Sequence, residues 1–222
     1  MTKTMSWAAL TSGGKDSILS IQKAIEGGKD VEYIVTARPE NRDSYMFHSA
    51  NLDAVAAIAK VAGMKYREIR TQGQKEEELA DLERGLASLD VEGVIAGAVA
   101  SVYQAERVKI ITDRLGILLF TPLWHMDTEV LLREVAQRLD AMIIVTAAAG
   151  LDEHFLGAHI GDELIQRLKR VAGIHRINLA GEGGEYETLT LNAPFYSRPI
   201  TYTSSEIRSS PDHHELVLGG FA

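Results

Sequence analysis

The sequence feature that most constrains the fold is a glycine turn that separates a short apolar run from an amphipathic one. Residues 10–17 read Leu-Thr-Ser-Gly-Gly-Lys-Asp-Ser; they follow the apolar residues 7–10 and precede an apolar periodicity that stops at residues 27–28. A strand, a tight turn and a helix start direct backbone N–H groups toward an anion. We therefore predict a phosphate-binding turn, and the alternative is an ordinary turn whose serine or aspartate caps the helix.

The residue types of this turn suit a nucleotide. Gly13 and Gly14 can adopt backbone angles that other residues avoid, and they let a phosphate approach the main chain closely. Lys15 adds a positive charge, Asp16 can hold a metal ion, and the two flanking serines offer hydroxyl groups. The spacing differs from the Walker pattern, which has four residues between its first glycine and the Gly-Lys pair.

Composition excludes several classes of function. The chain has 222 residues, no cysteine and a formal charge of −8, and 45% of its residues are hydrophobic. The absence of cysteine excludes disulfides, thiolate metal sites and reactions that use a protein thiol. The acidic balance argues against broad nucleic-acid binding. No apolar run reaches the roughly 18 to 20 residues of a membrane span, so we expect a cytoplasmic protein without a membrane partner.

Strands and helices are predicted to alternate through the first half of the chain. The predicted strands cover residues 7–10, 31–37, 65–69, 93–97 and 117–120, and the later predicted helices cover residues 52–62, 75–89 and 104–115. Ser49 or Asn51 is predicted to cap the helix that starts at residue 52. This alternation predicts an α/β fold with a doubly wound parallel sheet, whose ligands lie at the carboxyl ends of the strands.

The alternation stops near residues 121–124, and the remainder is richer in strands. We predict helices over residues 127–139 and 161–172 and strands over residues 141–146, 187–191, 200–205 and 215–218. The sequence therefore predicts a nucleotide-binding domain over residues 1–122 and a smaller α+β domain over residues 123–222.

A second conspicuous segment reads Gly-Glu-Gly-Gly-Glu-Tyr-Glu-Thr over residues 181–188. Three carboxylates and three glycines directly before a strand are unusual. They are suited to binding Mg²⁺, to positioning an amine or ammonium, or to accepting protons. The alternative is a flexible acidic segment whose charges are solvated.

The segment after the fourth predicted strand offers further polar groups at a carboxyl end. Ser101, Tyr103 and Gln104 are candidate ligand contacts, and Arg107 follows about one helical turn later. The residues alone favour a plainer interpretation, in which Ser101 caps the helix and Arg107 lies on the surface.

The aromatic and histidine residues elsewhere give weaker signals. Trp124 and His125 either line a pocket at the domain junction or are an ordinary packed tryptophan and surface histidine. His154 and His159 have a poor spacing for a metal site, and the pair at residues 213–214 is interpreted as solvated tail. We predict no histidine metal site.

Residues 12–17 read Ser-Gly-Gly-Lys-Asp-Ser, which resembles the phosphate loop Ser-Gly-Gly-x-Asp-Ser of the N-type ATP pyrophosphatases. The resemblance implies an adenine nucleotide alpha hydrolase-like fold. Members of that family cleave ATP between the α and β phosphates and activate a carbonyl or carboxyl group as an adenylate.

Three further segments resemble the diphthine–ammonia ligase branch of that family: residues 182–188, residues 97–104 with Arg107, and the Pro-Leu-Trp of residues 122–124. The resemblance extends through about residue 199, and the length is similar to the short archaeal-type forms. Thiolating relatives generally use cysteines, which this chain lacks. The resemblance implies amidation of diphthine on elongation factor 2. The reaction would consume ATP and ammonium, use Mg²⁺ as a cofactor, and release AMP and pyrophosphate.

The resemblance also implies roles for individual residues. Nucleotide-binding residues are Ser12, Gly13, Gly14, Lys15, Asp16, Ser17, Ala37 beside the adenine, and Gly97. Catalytic residues are Lys15, Asp16 and Glu185, with Asp16 as the Mg²⁺ ligand. Substrate-side residues are Ser101, Tyr103, Gln104, Arg107, Glu182, Gly183, Gly184, Glu185, Tyr186 and Glu187. The glutamates would attract the trimethylammonium group of diphthine, and the Tyr186 ring would add a cation–π face.

Other interpretations stay open at this point. One is another adenylating enzyme of the same superfamily that modifies RNA or forms a small-molecule amide. A second is an ATP-binding protein without catalysis. The oligomeric state is also open, and a homodimer is one alternative.

Overall fold

Five parallel strands form the first sheet of the protein, in the order β3-β2-β1-β4-β5. The computed structural model describes residues 6–39, 50–71 and 77–222, apart from the side chains of residues 102–104. The elements of this half are β1 (Ser6–Leu10), α1 (Lys15–Glu26), β2 (Val31–Pro39), α2 (Asp53–Ala62), β3 (Lys65–Thr71), α3 (Glu77–Ala87), β4 (Val91–Ile95), α4 (Val102–Leu115) and β5 (Leu118–Phe120). The predicted doubly wound α/β fold is confirmed. Residues 75–76 of the predicted third helix lie outside the described residues.

The strand order reverses between β1 and β4, which lie side by side at the centre of the sheet. Ala9 of β1 is in register with Ile34 of β2 on one side and with Ile95 of β4 on the other. In an open parallel sheet such a reversal leaves a crevice at the carboxyl ends of the strands. The glycine turn follows β1 and Gly97 follows β4, so the fold brings both to this crevice.

Helix α1 is held by one apolar face. Ile18, Leu19 and Ile21 are fully buried, and each such burial contributes about 1.5–3 kcal/mol relative to an exposed side chain. Gly14 precedes the helix in an extended conformation, with φ −74° and ψ 159°. The position of the helix start, and with it the shape of the glycine turn, is therefore fixed by packing beneath it.

The second sheet is antiparallel, with the strand order β7-β6-β9-β8. The elements of this half are α5 (Thr128–Arg138), β6 (Asp140–Thr146), a 3₁₀ turn (Glu153–Phe155), α6 (Asp162–His175), β7 (Tyr186–Asn192), β8 (Ser204–Ser210) and β9 (His213–Gly219). The predicted smaller α+β part is confirmed. Within the described ranges, no helix combines the length and the apolar character that crossing a bilayer requires.

Both sheets contribute to one hydrophobic core. Ile34 and Ile95 of the first sheet and Ile143 and Leu189 of the second belong to the same cluster of buried residues. A smaller cluster, which contains Val94, also involves the first sheet. The two halves therefore share packing, and the proposed division between residues 122 and 123 stays a prediction.

The start of the C-terminal hairpin differs from the prediction. A strand was expected over residues 200–205, but β8 begins only at Ser204. The preceding residues make other backbone bonds: Ile200 N–H donates to the carbonyl of Leu191 at 2.8 Å, and Thr201 exchanges two bonds with Ala222. Backbone bonds thus hold this segment beside β7 and the C-terminal residue without forming a regular strand. A local sequence pattern does not distinguish such a segment from a strand.

The histidine pair was also misinterpreted. His213 and His214 open β9 instead of forming a solvated tail, and His214 lies opposite Thr146 of the central strand β6. Tertiary pairing outweighs the polar local sequence here.

Asn51 has a different role from the predicted helix cap. Its side-chain amide donates to the carbonyl of Leu216 at 2.8 Å and accepts from the N–H of Leu218 at 2.7 Å. The residue has a φ of 52°, and Leu52 occupies the cap position of α2 without a side-chain bond. Asn51 thus connects the region before α2 to β9. Ser49, the other predicted cap, lies outside the described residues.

Candidate functional site

A cavity of about 560 Å³ opens at the carboxyl ends of β1, β2 and β4, between the first sheet and the start of β7. It is lined by most of the glycine turn, by residues after β2 and β4, and by the acidic segment. Lining residues from the predicted set are Ser12, Gly14, Lys15, Asp16, Ser17, Ala37, Gly97, Ser101, Glu182, Gly183, Gly184, Tyr186 and Glu187. The structure therefore brings together two motifs that lie more than 160 residues apart in the chain.

Gly13 holds the turn against the second sheet. Its φ is +88°, and an added Cβ would lie 3.0 Å from Ile58 Cδ1 and 3.1 Å from Leu189 Cδ1. Its carbonyl accepts from the N–H of Thr190 at 2.9 Å. The turn thus has a backbone bond to β7, and a side chain at this position would meet both strain and packed methyl groups.

A hydroxyl network fixes the inside of the turn. Thr11 Oγ1 accepts from the N–H of Gly13 at 2.8 Å and lies 2.6 Å from Ser17 Oγ. Ser17 Oγ in turn donates to the carbonyl of Gly14 at 2.9 Å. The N–H of Gly13 is therefore used inside the turn, and sequence reasoning missed Thr11, whose hydroxyl two residues before a glycine is a known turn signal.

Lys15 lies at the centre of the site. Its side chain is buried, and Nζ donates to the carbonyl of Ala180 at 2.6 Å and to Asp16 Oδ2 at 2.8 Å. Its backbone N–H donates to Thr188 Oγ1 at 3.0 Å, and Nζ lies 5.3 Å from the centroid of the Tyr186 ring. Lys15 thus connects the glycine turn with the acidic segment, and sequence reasoning had assigned no role to Thr188.

Asp16 fits the predicted role of a metal ligand. Lys15 engages Oδ2, whereas Oδ1 is buried and has no hydrogen-bond partner among the described residues. Mg²⁺ typically binds through one or two carboxylates together with phosphate oxygens. No group of three or more acidic, histidine or cysteine side chains forms an all-protein metal site within the described ranges. A single aspartate beside a phosphate turn matches this mode of binding.

Gly97 allows β4 to approach α1 directly. A Cβ on Gly97 would lie 2.6 Å from Ser17 N, 2.8 Å from Ser17 Cα and 2.9 Å from the Asp16 carbonyl carbon. These atoms belong to the backbone and cannot move aside without displacing the helix start. Gly97 was predicted as a nucleotide contact; the structure gives it a packing role as well as a place in the cavity lining.

Glu182 points into the cavity and is partly buried. Its Oε2 accepts from the N–H of Ala100 at 2.8 Å. Burial raises the pKa of this carboxyl above its ordinary value of 4.5, and the charge of Asp16 adds to the rise. The backbone of Ala100 and Ser101 and the Lys15 ammonium act in the opposite direction. Glu182 is thus suited to hold a cation or to accept a proton.

Glu185, predicted as catalytic, has both carboxylate oxygens bonded within its own loop. Oε1 accepts from the N–H of Asn178 and Oε2 from the N–H of Gly183, each at 2.8 Å. It is absent from the described cavity lining. This geometry indicates that Glu185 shapes the acidic segment, and its predicted catalytic role stays a prediction.

Tyr186 also faces inward. Its side chain is buried, its hydroxyl donates to the carbonyl of Leu179 at 2.9 Å, and burial raises its pKa well above the ordinary value. Its ring already lies beside the Lys15 ammonium. Tyr186 also belongs to the cavity lining, and its predicted cation–π contact with a substrate trimethylammonium group stays a prediction.

The other predicted substrate-contact residues do not all lie in the main cavity. Arg107 lines a separate cavity of about 260 Å³ together with residues of α3 and α4, so the structure does not bring it into the main site. The backbone of Tyr103 and Gln104 belongs to α4, and their side chains lie outside the described part of the structure. The rings of Trp124 and His125 are neighbours, with centroids 4.6 Å apart and planes tilted by 55°, and neither residue belongs to the described cavity lining.

Comparisons with known proteins agree with this architecture. Two family models match the chain, the diphthamide synthase N-terminal domain over residues 5–119 and the diphthamide synthase C-terminal domain over residues 127–214. A crystal structure described as a predicted subunit of tRNA methyltransferase from Methanocaldococcus jannaschii has the same fold. Its TM-score is 0.50 at 17% identity, over 86% of this chain and 98% of that one.

Two mammalian relatives match this chain over most of their length. The diphthine–ammonia ligase of Rattus norvegicus is 33% identical over 225 residues, which cover 90% of this chain and 83% of the relative. The diphthine–ammonia ligase of Homo sapiens is 34% identical over 229 residues, which cover 90% and 84%. The chain therefore belongs to the diphthamide synthase family, whose curated relatives carry the name diphthine–ammonia ligase.

Proposed function

We propose that this protein is an ATP-dependent ligase that converts the carboxylate of diphthine on elongation factor 2 into the amide of diphthamide. The reaction would consume ammonium and release AMP and pyrophosphate. The observation that carries the proposal is that the glycine turn and Glu182 line the same cavity. The proposed substrate is a translation factor, so the proposed place of action is the cytoplasm.

The glycine turn and the start of α1 form the nucleotide half of the proposed site. The first N–H groups of a helix have no intrahelical partner and favour an anion. Lys15 supplies a buried positive charge 2.8 Å from Asp16 Oδ2, and Ala37 lines the side where the adenine is proposed to lie. Donors that are already in place stabilise charge that develops on pyrophosphate when it leaves.

Asp16 is the proposed Mg²⁺ ligand of this half. The buried oxygen Oδ1 has no hydrogen-bond partner among the described residues, so it can coordinate without breaking an existing bond. Bound Mg²⁺ would neutralise negative charge on the phosphate oxygens. Asp16 would hold the ion close to Lys15, so Mg²⁺ and the Lys15 ammonium would lie on the same side of the cavity.

Glu182 is the proposed centre of the acceptor half. Ammonium must lose a proton before its nitrogen can attack an activated carboxyl group. A carboxylate whose pKa is raised by burial is a better proton acceptor than an exposed one. Glu182 would hold the ammonium and take its proton, while Glu187 adds negative charge for the trimethylammonium group of diphthine.

Glu185 and Tyr186 are proposed as positioning residues. Glu185 ties two backbone N–H groups of the acidic segment, and Tyr186 packs beside Lys15. They hold Glu182 and Lys15 in place without contact to the reacting atoms.

The deciding experiment combines the protein with ATP, Mg²⁺, ammonium and elongation factor 2 that carries diphthine. We expect AMP and pyrophosphate in equal amounts, together with the change in mass from acid to amide on the factor. ADP as the product would contradict cleavage between the α and β phosphates. AMP without amide would retain adenylation and remove diphthine as the substrate.

A further inference from the structure

The outer strand of the second sheet, β8, is exposed along its whole length. All seven of its residues are exposed, and Ile207 at its centre is 55% exposed. Among residues 6–39, 50–71 and 77–222, β8 forms a strand pair with β9 alone. An open edge of this kind offers a row of N–H and C=O groups to another strand.

The backbone groups that face the open edge follow from the bonds of β9. The Asn51 side chain binds the carbonyl of Leu216 and the N–H of Leu218, so these groups point away from β8. In an antiparallel pair, the backbone N–H and C=O groups of two directly opposite residues point either toward each other or away from each other. Ile207 lies opposite Leu216 and Ser205 opposite Leu218, so the backbone groups of Ile207 and Ser205 point to the open edge.

The sequence of β8 is self-complementary about its centre. It reads Ser-Ser-Glu-Ile-Arg-Ser-Ser. When two copies are aligned in antiparallel about the central isoleucine, each glutamate therefore lies opposite an arginine. We propose that β8 pairs in antiparallel with β8 of a second copy of this chain, with a two-fold axis at Ile207. Glu206 of each copy then lies opposite Arg208 of the other. The hydrogen-bonded positions fall at Ile207 and between Ser205 and Ser209, where the backbone groups point outward.

Charge and apolar surface both favour this register. Opposite charges directly across two strands attract, and like charges repel. In the single chain Arg208 pairs with Glu206 along the strand at 2.8 Å, so both side chains are already on one face. Ile207 meets its counterpart on the other face and loses exposed apolar surface.

The dimer is expected to be reversible. Two strands of seven residues bury less than the 1,200–2,000 Å², roughly, of a standard stable interface. The charge of −8 on each chain opposes association, although salt screens this repulsion. The dimer therefore forms at high protein concentration, and it does not depend on the proposed catalytic function.

Sedimentation velocity of the full chain tests the dimer directly. We expect the mass to rise from 24.3 kDa toward twice that value as the concentration increases, over a range of about 10 to 500 µM at roughly 0.15 M salt. A chain that stays monomeric over the whole range overturns the proposal.

Charge reversal tests the register. Glu206→Arg and Arg208→Glu each place like charges opposite one another in a homodimer, so each should raise the dissociation constant by about tenfold or more. In an equimolar mixture the two substituted strands are complementary again, and dimerisation should return as a heterodimer. Variants that dimerise like the wild type, or a mixture that shows no recovery, overturn the proposal. Recovery also excludes a folding defect as the cause.

A matched pair of lysine substitutions tests the location. Ile207→Lys should weaken the dimer, whereas Ile174→Lys on α6, at a position that is 75% exposed, should leave it unchanged. Equal weakening by both variants would place the interface elsewhere and would overturn the assignment to β8. General charge repulsion cannot explain such a result, because each lysine makes the negative chain less negative.

Discussion

Two loops face each other across the cavity. The glycine loop, residues 11–17, contains the glycine turn, and the acidic loop, residues 178–187, contains most of the acidic segment. The two loops differ in how many of their motif residues face the cavity. In the glycine loop nearly every residue of the motif lines the cavity or holds the turn. In the acidic loop the glutamates have unequal roles: Glu182 faces the cavity, whereas Glu185 accepts two N–H groups of its own loop. Identical side chains in one motif are therefore not interchangeable ligands.

Lys15 is the residue on which both loops depend. It belongs to the glycine loop, yet its ammonium group donates to the carbonyl of Ala180 in the acidic loop. Substitutions at Lys15, in each loop separately, and at Gly97, which packs against the start of α1, can separate the contribution of the glycine loop from that of the acidic loop.

Lys15→Met should have the largest effect. It removes the buried charge that faces the proposed phosphate position and leaves the carbonyl of Ala180 without its donor. We expect a loss of roughly 10²–10³-fold in the rate of AMP formation. Lys109→Met, at an exposed position on α4, is the control and should retain activity. Equal rates for the two variants would contradict a role of Lys15 in catalysis.

Glu182→Gln should reduce amidation by roughly 10²-fold, since the amide cannot accept a proton from ammonium. The glutamine can still accept from the N–H of Ala100, so the local structure should be kept. The measurement is amide formation on the protein substrate beside ATP binding by calorimetry. A variant with weakened ATP binding and normal turnover would assign Glu182 to the nucleotide half instead.

Gly97→Ala tests whether the glycine loop depends on packing behind it. The added Cβ would lie 2.6 Å from Ser17 N, so we expect a loss of about 1–3 kcal/mol in the free energy of unfolding, with weaker ATP binding. Gly173→Ala in α6 meets open space and should stabilise by about 0.5–1 kcal/mol. Urea denaturation of both variants makes the comparison, and an unchanged Gly97 variant would refute the close approach.

Glu185→Gln should lower the free energy of unfolding by about 1–3 kcal/mol, since an amide can satisfy only one of the two N–H donors. Activity should fall less than for Glu182→Gln, because Glu185 does not belong to the described cavity lining. Denaturation and amidation rates measured on the same samples separate the two effects. A fully active, fully stable variant would contradict the positioning role, and a stable but inactive one would restore the catalytic role.

The smallest effect is in the pH dependence of stability. The folded pKa of Glu182 lies above the ordinary value of 4.5 because burial disfavours the charged form. Between these two pKa values the folded state binds a proton that the unfolded state has lost, so this group makes stability decrease as pH rises. Glu182→Gln should remove that decrease. Denaturation series from about pH 4 to 8 check the sign, and parallel curves for wild type and variant would refute the raised pKa.

Much of the glycine loop was predictable because its signals are local. The turn lies between an apolar strand and an amphipathic helix, and Ser12, Lys15 and Asp16 all line the cavity as expected. The contact between Lys15 and Thr188 was not predictable, because it joins residues 173 positions apart in the chain. A local sequence pattern does not predict which strand of another sheet a turn will contact.

The acidic loop and the C-terminal hairpin were less accessible for a related reason. The sequence shows that Glu182 and Glu185 are acidic, but their directions are set by the backbone N–H groups that each one meets. Likewise β8 and β9 have few of the β-branched and aromatic residues that mark strands. Their place in the sheet depends on pairing with other strands, β9 with β6 and β8 with β9.

The bonds between β7 and the glycine loop have a thermodynamic consequence. The carbonyl of Gly13 accepts from the N–H of Thr190, and the N–H of Lys15 donates to Thr188 Oγ1, so two bonds of the loop form only when the second sheet is folded. A nucleotide that binds the loop is therefore linked to the folding of the C-terminal half. If these bonds strengthen nucleotide binding, bound nucleotide must stabilise the pairing of β7 with the loop by the same free energy, although the two segments lie far apart in the sequence.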